Sequence, residues 1–199
     1  MTSEPPHQHQ DVRQEIRRSI WGAARFASFD ARGMHFFNVT LQGFWRSFLA
    51  ALVSLPFFIA IDALSYRPTE AVHYFNLALG YGISWIALPI VLIPVMIALD
   101  LRHAYVPFVI AYNWATVITY GLALVTVLLY QTDNSIGASL SLAFWIVSCL
   151  YRWFVAKVAL NAGILIPIVI VVMDEVLSVL ISRGLFQLFG DIPTVLPSV

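Results

Sequence analysis

The sequence predicts an all-α integral membrane protein: a five-helix transmembrane bundle preceded by an amphipathic interfacial helix. Three observations carry this expectation. Of 199 residues, 60% are hydrophobic and only 11% are charged, whereas a soluble domain carries roughly 25% charged residues. Five apolar stretches are each long enough to cross a bilayer core about 30 Å thick at about 1.5 Å per helical residue. The cations also crowd to one side of those stretches. A formal net charge of zero gives no basic surplus to recruit nucleic acid.

Taken in order, residues 1–12 read as a disordered tail, polar and rich in Pro, His and Gln, with nothing to bury. His7 and His9 are two ring nitrogens' worth of metal affinity without fixed geometry, so no metal site is expected there. With no apolar core typical of a cleaved leader in this tail, the first span is expected to target the chain. Residues 11–46 form a cytoplasmic segment. In it, Ile16, Ile20, Ala23 and Ala24 share one side of a helix, and Arg13, Arg17 and Arg18 lie around the other, with Trp21 at the edge. That pattern suits a helix lying in the headgroup plane of an anionic leaflet, with packing under the bundle as the rival. Asp30-Ala-Arg-Gly33 breaks it, and Asn38 or Thr40 is placed to cap the first span.

The transmembrane domain spans 47–181. Its spans are Ser47 to Tyr66, Tyr74 to Leu99, Pro107 to Tyr130, Ile136 to Ala156, and Val158 to Ile181. Arg152 and Lys157 fall between the last two runs, so the turn is expected at YRWFVAK, because one long helix would carry both cations through the core. Residues 182–199 are then a short outer tail. Nine of the eleven cations collect with the N-terminus and only Arg67 and Arg183 fall on the other side. By the positive-inside bias this places the N-terminus in the cytoplasm and the C-terminus outside, in a bacterial inner membrane.

Acids inside spans are expensive and by default functional. Asp174 and Glu175 sit well below the outer end of the fifth span, and Asp62 lies near the outer end of the first. The three are expected to meet in the outer half of the membrane. They form either a proton- or cation-responsive site or a structural group paired with Arg67 and Arg183. Asn113 and Asn161, each near the inner end of a span, are expected to serve as helix-helix polar contacts, with each other as a possible pairing. Gly137 with Ser141 and Ala159 with Gly163 repeat at the spacing of close helix contacts, within or between chains. Cys149, the only cysteine, excludes an internal disulfide and reads as a small core residue.

No nucleophile triad, phosphate loop, metal-ligand cluster or nucleotide motif appears, so no enzyme, cofactor or metal is expected. The plan, with a cytoplasmic N-terminal region, five spans and a short outer tail, resembles the Yip1-type membrane proteins. The phrases YVPFVIAYNWA and YRWFVAKVAL resemble those of small bacterial inner-membrane proteins. The resemblance implies membrane organisation, or association with other membrane components, lipid or a second copy. The alternative is a small transporter or channel built on Asp62, Asp174 and Glu175.

Overall fold

The computed structural model describes residues 11–65, 71–132 and 134–189. The tail histidines, Arg67 and the last ten residues of the expected outer tail lie outside these. Seven α-helices and one short 3-10 helix follow one another, with no strand among the described residues. Five helical stretches are long and apolar enough to cross a membrane: Leu41–Ser65, His73–Ala98, Arg102–Gln131, Ser139–Leu160 and Leu165–Leu185. The chain is an integral membrane protein by that measure.

Helix α1 (Val12–Ala27) is capped by the Asp11 side chain, which accepts from Arg13 N–H. It ends at Ser28 and Phe29, just before the Asp30–Gly33 break expected from sequence. Phe29 turns left-handed, at φ 54°, and Asp30 N–H closes back on the Arg25 carbonyl, the bonding of a Schellman cap. Asp30 then caps the 3-10 helix Ala31–Phe36 and pairs with both Arg25 and Arg32. Hydrogen bonds from the Arg32 side chain and backbone hold the Asp30 carboxyl down at about 2. Two glycines let this hairpin close. A Cβ on Gly33 would stand 2.6 Å from the Gly22 carbonyl oxygen, and one on Gly22 would stand 2.8 Å from that of Gly33.

The apolar side of α1 is packed under the bundle. Phe26 is fully buried among Phe37 and Phe154, and the Tyr151 hydroxyl donates to the Ala23 carbonyl at 2.9 Å. Buried Glu15 accepts from Arg46 at 2.5 Å and from Asn38 Nδ2 at 3.0 Å, tying α1 to the entry of the first span. That entry is α2 (Leu41–Ser47), capped by Thr40, whose hydroxyl oxygen accepts from Gly43 N–H. After a break at Phe48, α3 (Leu49–Ser65) completes the crossing.

Helices α4 (Ala71–Ala98), α5 (Arg102–Thr132), α6 (Asn134–Leu160) and α7 (Leu165–Phe189) form a ring in which each touches the next and α7 returns to α4. α3 packs outside, on α5. Half of the α5 span is buried, against 28% or less for the others, so α5 is the axis of the bundle. Apolar residues such as Leu52, Ile90, Leu128, Leu142, Val172 and Leu180 stay exposed on the outer faces, where lipid is their solvent. Asp100, at φ 56°, and Asn161, at φ 47°, turn the chain between α4 and α5 and after α6. Asp and Asn tolerate that left-handed conformation better than bulky residues do.

The last boundary corrects the sequence expectation. α6 does not stop near Arg152 but runs on to Leu160, and the turn occupies 161–164. Arg152 therefore stands about 12 Å inside the end of α6, at 1.5 Å per residue. Asp174, nine residues into α7, lies about 14 Å from the start of that helix, at the middle of the span Leu165–Leu185. Lys157 alone remains in the last turn, its ammonium 5.1 Å from the Trp153 ring. The fifth helix also carries on through Ser182 to Phe189, so the beginning of the expected tail is helical.

Candidate functional site

The acids of α7 meet a cation from α6. The Arg152 guanidinium donates through one terminal nitrogen to Asp174 Oδ2 at 2.7 Å and through the other to Glu175 Oε1. Adjacent residues point about 100° apart on a helix, yet a planar fork of donors spans both. From α5, across the ring, the Tyr112 hydroxyl donates to Asp174 Oδ2 at 2.6 Å. Asp174 thus receives two donors on one oxygen and is held firmly as an acceptor. Glu175 receives Arg152 and a long contact of 3.9 Å from the Cys149 thiol. Cys149 is half-buried at the edge of the cluster, its sulfur also 3.8 Å from Arg152.

Charge stoichiometry sets the character of this cluster. One guanidinium faces two carboxylates, which leaves a surplus negative charge when both acids are ionised. In a low-dielectric setting such a surplus calls for a bound proton or a bound cation. There is room for either. A cavity of about 360 Å³ opens beside the cluster, walled by residues of α4, α5, α6 and α7, including Trp85, Tyr112, Tyr120, Phe144, Arg152 and Glu175. Ser148, on the same face of α6 as Arg152, also lines it, and its buried hydroxyl has no hydrogen-bond partner.

Asp62 does not join the other two acids. It pairs with His73 of α4, both carboxylate oxygens lying 3.2 Å from Nε2, near the C-terminal end of α3 and the N-terminal end of α4. Arg183 does not serve the acids, being exposed and making no ion pair among the described residues, and Arg67 lies outside those residues. Asn113 donates to Ser47 Oγ at 2.9 Å, joining α5 to α2. It does not reach Asn161, which turns the chain after α6. Gly163, in that turn, has open space where a Cβ would be, so it makes no close helix contact. Arg13, Arg17, Arg18 and Trp21 are all exposed on α1.

Sequence reasoning missed Arg152 as a partner, and with it Tyr112 and Ser148. The signal was present in Asn161-Ala162-Gly163, the residues fit to turn a chain, whereas YRWFVAK holds none. Placing the turn at Asn161 would have carried Arg152 into the membrane opposite the acids. No family model, curated protein or solved structure matches this chain.

Proposed function

We propose that this protein is a small membrane carrier whose working site is the Arg152–Asp174–Glu175 cluster, moving a cation in exchange for a proton. The observation that carries the reading is the unequal pairing, two acids to one guanidinium, beside a cavity near mid-membrane. A structural ion pair is better served by equal charges and close packing than by a charge surplus and empty space. The organising role suggested by the chain's plan is set second, because it gives that cavity no task. In this reading Asp174, held by Arg152 and Tyr112, fixes the cluster, and Glu175 is the acid that exchanges partners.

The exposed Arg13, Arg17, Arg18 and Trp21 support contact with anionic headgroups, with α1 docked on the cytoplasmic end of the bundle in an inner membrane. The cation bias supports that orientation: with Arg152 taken into the membrane, eight of the other ten cations still fall on the N-terminal side.

The test is made in liposomes loaded with a pH dye and given an acid interior, with sodium, potassium or tetraethylammonium added outside. The protein is expected to speed the loss of the gradient with at least one of these cations. Glu175→Gln, folded and inserted, is expected to return the rate to that of empty liposomes. Decay no faster than empty liposomes with all three cations, from folded wild-type protein, contradicts the carrier reading.

A further inference from the structure

From the walls of the cavity we infer that the transported species is a small organic cation, such as a quaternary or tertiary amine. The inference rests on the carrier reading and names its substrate class. Three of the hydroxyls at the cavity turn lone pairs rather than hydrogens toward it, which favours a positive guest. Ser84, Thr116 and Thr119 spend their hydroxyl hydrogens on the carbonyls of Tyr81, Tyr112 and Ala115 in their own helices, which leaves lone pairs for the cavity. Arg152, the one fixed cation there, is already engaged by Asp174 and Glu175, so an anionic ligand would have to compete with two carboxylates for it. The surplus charge of the cluster is negative, and the buried Ser148 oxygen is unpartnered beside it.

Much of the remaining wall is aromatic, with aliphatic residues such as Leu88 and Leu177 between. Trp85, Phe108, Tyr112, Tyr120, Phe144 and Trp145 come from three of the four helices of the ring. Ring faces attract a cation within about 6 Å of the centroid, most strongly where water is excluded. A cavity of about 360 Å³ falls in the size range of small-molecule sites, roughly 300 to 1,000 Å³, and far exceeds what a bare metal ion fills. Among the described residues no group of three His, Cys, Asp or Glu is placed to hold a metal. The combination of apolar aromatic walls, acceptor oxygens and one spare negative charge fits an organic cation better than an inorganic one.

Exchange follows if the surplus carboxylate is balanced by one positive charge at a time. The site holds one positive charge beyond Arg152, either the proton or the organic cation, and entry of the cation expels the proton. The charged and ionisable groups around Glu175 are Asp174 on its own helix, Arg152 and Cys149 from α6, and Tyr112 and Tyr120 from α5. The residues of α4 at the cavity include no titratable side chain.

Calorimetric titration of the full-length protein in detergent with tetraethylammonium, repeated in two buffers of different ionisation enthalpy, reads both binding and proton release. Tetraethylammonium carries no proton, so any released proton comes from the protein. The expected result is saturable binding with up to one proton released per cation. Glu175→Gln is expected to abolish the release and weaken binding at least about ten-fold, the loss of a charged partner. Trp85→Leu is expected to weaken binding by roughly three- to thirty-fold with proton release preserved, as for loss of a ring face. Absence of saturable binding by folded wild-type protein, or binding that Glu175→Gln leaves unchanged, overturns the inference. If sodium or potassium discharges the liposome gradient while tetraethylammonium neither binds nor discharges it, the carrier reading stands and the organic-cation assignment falls.

Discussion

Two clusters of charge in this protein use the same residue types to different ends. At the end of the bundle where α1 docks, Glu15 meets Arg46, Asn38 fills out the carboxylate, and Glu15 is buried against the helix it secures. At mid-membrane, Arg152 meets Asp174 and Glu175 one to two, with a cavity alongside and an unpartnered hydroxyl in its wall. The first arrangement is closed in that a single buried carboxylate is held by its donors, which is what a fastening requires. The second is open, with a second carboxylate on the same guanidinium and a cavity beside it. Charge count and free volume together, rather than the mere presence of buried ions, separate a structural pair from a site that can change its occupant.

The largest effect is expected where that comparison is broken outright. Arg152→Met leaves two carboxylates without their cation and is expected to destabilise the protein by about 3 to 5 kcal/mol, seen as loss of folded material on size exclusion in detergent. Adding Asp174→Asn and Glu175→Gln to the same chain is expected to restore most of that stability while leaving transport absent. Glu15→Ala is next. It takes a buried carboxylate from Arg46 and Asn38 and loosens α1, for a loss of about 2 kcal/mol in a thermal melt, with gradient collapse per folded molecule unchanged. Gly33→Ala, pressed against the Gly22 carbonyl and the Phe26 ring, is expected to cost about 1 to 3 kcal/mol by overpacking, again without altering transport.

The smallest effect concerns pH. Asp30 has its carboxyl held at about 2, below its ordinary 3.8, so its contribution is fully present above 3.8 and is lost as pH falls through 2. The hairpin of α1 and the 3-10 helix should therefore show no pH-dependent loosening from this group between pH 5 and pH 8. Hydrogen exchange at residues 25–33 checks this.

Much of this architecture was legible in the sequence because the bilayer imposes simple rules. Apolar length fixes the number of spans, and the amphipathic pattern of 12–27 marks α1 and the side that packs. Ile16, Ile20 and Ala23 do face inward, as their spacing requires. The site was half legible. Asp174 and Glu175 stand out because acids in lipid are costly, but their partner was hidden by one misplaced turn of about eight residues. An arginine beside a lysine reads as a loop, and only the turn-forming Asn161 argues otherwise. Pairings such as Asp62 with His73, or Asn113 with Ser47, depend on which helices touch, and helix spacing within one element carries no information about that.

The most direct test of the difference between the two clusters compares two conservative variants in the same liposome assay: Glu175→Gln at the open cluster and Glu15→Gln at the closed one. Both remove one carboxylate charge from an ion pair with arginine. At matched amounts of folded inserted protein, Glu175→Gln is expected to abolish cation-driven loss of the proton gradient while Glu15→Gln retains the wild-type rate per molecule. Equal rates in the two variants, with the wild-type protein active, would contradict the assignment of Glu175 as the exchanging acid.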